Sequence, residues 1–138
     1  MKIQIRRLTP TATLPTYATD GAAGMDLYAD EDDEVCLGAG PVRVRTGIAL
    51  SIPPGYEAQV RPRSGLSSAG VVVALGTIDS DYRGEVMVVM SSSSPHSIYR
   101  GNRIAQLIIA PVVRAELVEV DDLDETARGA GGFGSTGR

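Results

Sequence analysis

Between two apolar runs, Val71 to Leu75 and Val86 to Met90, residues 76–85 read Gly-Thr-Ile-Asp-Ser-Asp-Tyr-Arg-Gly-Glu. Two carboxylates, Asp79 and Asp81, crowd there with Tyr82 and Arg83 between turn-forming glycines. The chemistry such a set could do is proton transfer by a positioned carboxylate. The flanking runs are strand-like, so the decapeptide is expected as a hairpin that presents Asp79, Asp81 and Tyr82 near its turn. The same residues also suit a polar turn with solvated charges, and taken alone they do not separate the two readings.

The elements that must position this segment are short strands. Glycine, proline or acidic turns interrupt the chain every eight to twelve residues, which is an all-β pattern. Lys2 to Arg7 alternates Ile3 and Ile5 with polar residues, and Val42 and Val44 alternate with Arg43 and Arg45. Tyr56 to Val60 follows the turn at Pro53-Pro54-Gly55. Each reads as a half-buried strand. Arg103 to Val113 is more apolar and is broken by Pro111, as expected of a central strand with an interrupted end. Ser64 to Ala69 is expected to form one helical turn. Asp30 to Glu34, five consecutive acids, is expected as a solvated, self-repelling loop, without the alternation and glycine a calcium loop needs. Ser91 to Pro95 reads as a hairpin connection, with His96 at the surface.

Composition bounds the class. A chain of 138 residues has the size of one domain with one core. With 17 acidic and 13 basic residues the net charge of -4 argues against a phosphate-neutralising nucleic-acid surface. Twelve of the 13 cations are arginine, whose planar fork suits phosphate or carboxylate. A single cysteine, Cys36, and a single histidine, His96, offer no disulfide and no zinc set. The expectation is a soluble, cytoplasmic protein with no membrane segment and no leader. From Arg128 the chain runs Arg-Gly-Ala-Gly-Gly-Phe-Gly-Ser-Thr-Gly-Arg, with Phe133 as its one large apolar side chain. Such a segment is expected to be mobile on its own, yet its amides, hydroxyls and arginines could also wrap an anion.

Four other segments share this density of polar and glycine residues: Ala23-Gly24-Met25-Asp26-Leu27, Arg63-Ser64-Gly65-Leu66, Gly101-Asn102-Arg103-Ile104-Ala105-Gln106-Leu107, and the tail. With 76–85 third in order, the set resembles the five motifs of the trimeric dUTPase family from Thr16 to the last residue. The resemblance implies an all-β, jelly-roll-like β-clip fold assembled as a homotrimer, with active sites at subunit junctions. It divides the chain into a β domain, 1–127, and a Gly-rich arm, 128–138, that closes over a neighbour's site. The implied reaction is hydrolysis of dUTP to dUMP and pyrophosphate, which limits uracil in DNA and supplies dUMP for thymidylate synthesis.

The resemblance also implies roles for individual residues. Asp79 activates the attacking water and meets the sugar 3′-hydroxyl, whereas Asp81 is structural. Tyr82 packs on the deoxyribose and excludes a 2′-hydroxyl. Backbone groups of the hairpin, at Thr77, Ile78 and Met87, meet the base. Ser64 and Gly65 donate to the α- and β-phosphates, and Arg63 is a phosphate clamp or an ion-pair partner. Asp26 and Gln106 hold Mg²⁺ through its waters, although Asp26 read alone suits a turn cap equally. Arg128 grips the γ-phosphate and Phe133 stacks on uracil, while Gly134 and Ser135 fold over the triphosphate.

One departure stands out. Between Arg63 and Tyr82 the chain is about three residues shorter than the common bacterial pattern. Val71 to Gly76 also lacks the asparagine that often contacts uracil. Recognition of the base then falls to the hairpin backbone. The rival within the fold is dCTP deaminase or its bifunctional form, which needs a proton-shuttling acid beside the base that Val71 to Ile78 does not supply. A non-catalytic β module is the rival from another class, and it has no use for Asp79, Tyr82, Gln106 and Arg128 together.

Overall fold

The computed structural model describes residues 1–137, so Arg138 lies outside the described residues. The elements in chain order are β1 (Gln4–Arg7), β2 (Thr16–Tyr17), β3 (Met25–Tyr28), β4 (Val35–Leu37), β5 (Val42–Ser51), β6 (Tyr56–Arg61), α1 (Ser64–Ser68), β7 (Val71–Val73), β8 (Gly76–Ile78), β9 (Glu85–Ser92), β10 (His96–Ile98) and β11 (Arg103–Pro111). One sheet has the order β1-β5-β9-β7 and the other β2-β3-β11-β6-β8, with β10-β4 as a separate pair. All the pairings are antiparallel. The result is the all-β architecture expected from the punctuation of the sequence, in the jelly-roll-like form that the resemblance implied.

Alternation sets which face of each strand is buried. Val44 on β5, Val86, Val88 and Met90 on β9, Ala58 and Val60 on β6, and Leu107 on β11 meet in one core fed by both sheets. Removing a Val or Leu side chain from water at such positions contributes roughly 1.5–3 kcal/mol. β11 lies between β3 and β6, the central place expected of it, and it ends at Pro111, which cannot donate to a ladder. The Pro53-Pro54-Gly55 turn closes with Tyr56 N–H on Pro53 O at 3.2 Å, and Gly55 has φ +85°. That is the pattern of a type II turn, which requires glycine at its third position.

Four expectations need correction. β7 and β9 do pair, with Val73 opposite Met90, but residues 76–85 do not close a simple hairpin between them. Gly76–Ile78 leaves for the other sheet and pairs with β6. β1 is exposed along its length rather than half-buried, because it is an edge strand; Ile5, with Ile3 just before the strand, borders an open apolar groove with Leu14, Met25 and Ile109. The acidic run is not uniformly solvated. Asp30 is 3 % exposed, accepts from Thr9 Oγ1 and pairs with Arg100 Nε at 3.4 Å, while Glu31 accepts the Arg45 N–H at 2.6 Å. Finally, His96 is partly buried at the start of β10, which pairs with β4 rather than with β9.

β5 carries a bulge between Arg45 and Ala49. Gly47 there has φ +66°, and a Cβ at 47 would collide with the Asp30 carboxylate and come within 2.8 Å of both Ala12 Cβ and Thr9 Oγ1. Only glycine satisfies both the dihedral and the space. Burial, the largest single influence on Asp30, pushes its carboxyl upward. The hydroxyls of Thr11 and Thr9 and the charges of Arg100 and Arg45 together outweigh it and hold Asp30 below the ordinary value.

Candidate active site

The expected site residues fall into three groups. The first is built on β3, β11 and the segment leading into α1. Asp26 and Gln106 are directly opposite in the β3–β11 ladder, and Gln106 is opposite Arg61 in the β11–β6 ladder. Asp26 is nearly buried and pairs with Arg63 Nε at 2.9 Å and Arg103 Nη1 at 3.3 Å. Of the two roles open to Arg63, the ion pair is therefore in place. Gln106 Nε2 donates to Pro62 O at 2.8 Å, which turns its Oε1 toward Gly24, where a Cβ would sit 2.7 Å away. Glycine at 24 thus leaves room for the Gln106 carbonyl. Ser64 and Gly65 open α1, and both are exposed. Their N–H groups belong to the first turn and have no intrahelical acceptor.

The second group surrounds the turn after β8. Tyr82 N–H closes on Asp79 O at 3.1 Å, and Arg83 Nη1 braces the loop on Ser80 O at 2.6 Å and Tyr82 O at 2.9 Å. The Tyr82 hydroxyl donates to Glu85 O at 3.0 Å, and a side chain at 84 would collide with it. The ring is thereby fixed beside the loop. Among the described residues no donor engages the Asp79 carboxylate, which is exposed and free to accept. At the base of the loop Glu85 is clamped, with Oε1 on Gly47 N–H at 2.8 Å and Oε2 on Arg45 Nε at 3.3 Å.

Because β8 pairs with β6 while β9 pairs with β5, the two strands that flank the loop part from one another. The edge of β8 away from β6 is open, and β7 covers β9 only from Met90 to Ser92, with Ala74 N–H reaching Val89 O beyond it. Two unpaired strand edges, Gly76–Asp79 and Glu85–Met87, therefore face each other across a cleft of about 300 Å³ that Tyr82, Val60 and Arg43 also line. A second cleft of about 420 Å³, lined by Glu57, Asp79, Asp81 and Arg114, lies alongside and shares Thr77 and Asp79 with the first. Sequence reasoning did not single out Arg43 or Glu57. The antiparallel register puts Glu57 beside Asp79 once Ala58 is opposite Ile78, but that register is not legible without the structure.

The third group is the tail. Val113 to Ala130 is exposed throughout, and Phe133 has no cover from the other described residues. Arg128 Nε donates to Gly131 O at 2.8 Å, within the tail itself. Arg128, Phe133, Gly134 and Ser135 thus stand apart from both other groups.

The first two groups are also separate within one chain. Ile78 is opposite Ala58, so Asp79 falls level with Glu57, whereas Gln106 is opposite Arg61. Four strand positions at about 3.3 Å each place the Asp79 row about 13 Å from the Asp26–Gln106 row.

A dUTPase family model matches residues 11–137. The deoxyuridine 5′-triphosphate nucleotidohydrolase of Anaeromyxobacter sp. (strain Fw109-5) is 58% identical over 145 aligned residues, covering 99% of this chain and 97% of that protein. The corresponding protein of Anaplasma marginale (strain St. Maries) is 51% identical, with 99% of each covered. Among solved structures, Staphylococcus bacteriophage 80alpha dUTPase with dUPNHPP aligns at TM-score 0.90 and 28% identity, over 99% of each chain. A phage phi11 dUTPase mutant from S. aureus, described for its coordination of a structural Mg(II) ion, aligns at TM-score 0.81 and 26% identity, over 88% of this chain and 98% of that one. With the family model spanning most of its length and two full-length relatives above half identity, the chain belongs to the dUTPase family.

Proposed function

We propose that this enzyme, a dUTP nucleotidohydrolase, releases pyrophosphate by attack of water on the α-phosphorus, with Asp79 as general base. The observation that carries the reading is the cleft between β8 and β9, with Asp79 and Tyr82 lining it. Uracil presents an acceptor, a donor and an acceptor at O4, N3–H and O2, and open strand edges offer N–H and C=O groups in alternation. The base takes the place of a missing strand, held by main-chain groups of Thr77, Ile78 and Met87. This suits a segment, Val71 to Gly76, with no side-chain amide to offer. Tyr82 then lies along the deoxyribose, and Asp79 accepts the proton of the attacking water.

Charge on the departing pyrophosphate is met by the Ser64 hydroxyl, the amides of Ser64 and Gly65, and Arg63. Among the described residues no three acidic, histidine or cysteine side chains converge on a metal cage. A Mg²⁺ ion that keeps most of its waters and takes its other ligands from phosphates needs no such cage. The Asp26 carboxylate and the free Gln106 Oε1, side by side in the β3–β11 ladder, fit as acceptors for those waters. Bound there, Mg²⁺ would neutralise triphosphate charge as the α–β bond breaks.

The separation of about 13 Å between the two groups supports a site assembled from different copies. In a homotrimer the Asp79 loop of one subunit meets the Arg63–Ser64 segment of another. The arm, 128–138, brings Arg128 to the γ-phosphate, Phe133 to the uracil, and Gly134 and Ser135 over the phosphates. Val113 and Leu117, each 93 % exposed, and Leu123, 84 % exposed, lie between the domain and the arm and need cover from another chain. Among the described residues no helix is long and apolar enough to cross a membrane, and Cys36 is a free thiol. A reducing cytoplasmic setting suits that cysteine.

Pyrophosphate release from dUTP, dCTP, dTTP and UTP in the presence of Mg²⁺ tests the mechanism together with Asp79→Asn. The variant is expected to bind dUTP while turnover falls about a thousandfold. Ammonia release from dCTP would turn the assignment toward a deaminase, and an active Asp79→Asn would remove the general base.

A further inference from the structure

Arg43 is an exposed residue of β5, the central strand that pairs with β9, and it lines the cleft between β8 and β9. Among the described residues no ion pair reaches it. Glu85, which lines the same cleft, is already held by Arg45 and the Gly47 amide. A guanidinium carries five donors and no acceptor, so an unpaired one in this cleft is available to an oxygen acceptor on whatever occupies it. Placing the base there follows from the function proposed above, and the inference rests on that placement.

The ladder fixes which part of the base Arg43 meets. Arg45 is opposite Met87 and Arg43 opposite Val89, so Arg43 lies two positions beyond Met87, at the end of the cleft away from the Tyr82 loop. With the sugar on Tyr82, the glycosidic N1 points toward the loop. C4, para to N1, points toward Arg43. In uracil that carbon bears a carbonyl oxygen, and in cytosine it bears an amino group, which is a donor. We propose that Arg43 is a specificity-determining residue that donates to O4 of the base and rejects 4-amino pyrimidines. The main chain reads the N3–H and O2 edge, and Arg43 adds a side-chain discrimination at position 4, one of the two ring positions where uracil and cytosine differ in hydrogen-bonding sense.

The test compares kcat/KM for pyrophosphate release from dUTP and dCTP in the full-length protein and in Arg43→Met, Arg43→Lys and Arg43→Glu. Where dCTP turnover is too slow, its inhibition constant replaces it. The parent should prefer dUTP. Arg43→Met should lower the dUTP:dCTP ratio about tenfold or more, chiefly through KM for dUTP. Lysine should restore part of the ratio, and glutamate, an acceptor for an amino group, should push it further toward dCTP. Melting temperatures should not move, because the side chain is exposed. An unchanged ratio in Arg43→Met overturns the proposal, and so does an equal loss on both nucleotides, which would place Arg43 on the phosphates. A parent that turns over dUTP without preferring it overturns the inference alone, whereas a parent inactive on dUTP overturns the functional reading as well.

Discussion

Mixing two inactive variants should restore activity. Asp79→Asn disables the loop after β8 and leaves the Asp26–Arg63–Gln106 group intact. Arg63→Ala does the reverse, and it spares the fold because Asp26 keeps Arg103 at 3.3 Å. Each variant alone is expected to lose about a hundredfold or more, the loss typical of a missing general base or a missing charge-stabilising donor. Along the strands the two groups are about 13 Å apart in one chain, too far for a carboxylate to activate a water at a phosphorus held by the other group. Each site must then draw its loop and its phosphate-binding segment from different subunits. In trimers re-formed from an equimolar mixture, a site is whole when the loop comes from the Arg63→Ala chain and the phosphate segment from the Asp79→Asn chain. That occurs in about a quarter of sites under random assembly into closed rings. The assay is dUTP turnover after joint unfolding and refolding, against variants refolded separately and then combined. Recovery to about a quarter of parental activity is the expected result. Activity equal to the mean of the two variants alone would refute a shared site and place all the groups within one chain.

Three further outcomes follow from the geometry. Removing residues 128–138 should abolish most turnover while shifting the melting temperature by no more than about 2 °C, because the described part of the arm gives the core no buried side chain. A large thermal shift would mean the arm is structural. Gly47→Ala should destabilise by about 2–4 kcal/mol in urea unfolding, combining a left-handed dihedral with three close contacts; a loss below about 1 kcal/mol would show that the β5 bulge relaxes. Asp30, with its folded-state pKa held below the ordinary carboxylate value, should contribute stability that is complete above that ordinary value and is lost as pH falls through the lower, folded-state one. Asp30→Asn should therefore flatten the acid limb of the stability curve, and an unchanged limb would show that Asp30 is not the titrating group.

Local signals carried most of the strand pattern. Alternation in β5 and β6, the Pro-Pro-Gly turn and the break at Pro111 are all decided by residues a few positions apart, and they fold as read. What failed was long-range. Nothing near Gly76 announces that it pairs with Val60 on the other sheet rather than with β9, because the choice depends on which edges remain open after β5 and β6 take their partners. Asp30 looked solvated because its block is acidic. Its cover comes from Thr9 and Arg100, distant in sequence. The site residues were legible through motif order, and their partition into separated groups was not, since that is a property of strand register. Arg43 gave no local signal at all: an arginine alternating with valines reads as the wet side of a strand until the cleft beside it is known.

The parting of β8 from β9 bears on how such a protein can change over time. Recognition by two open strand edges is spelled in amides and carbonyls, which every residue except proline supplies alike. The exposed side chains at Thr77 and Met87 can drift without rewriting it, whereas Ile78 and Val86 are held by the core and Glu85 by its clamp. Retargeting the base would then demand a shift of the chain itself, such as a proline at 77 or an inserted residue, or a substitution at a flanking side chain that touches the ring. A shortened approach segment is tolerable for the same reason: the strand edge survives the loss of residues that only led up to it.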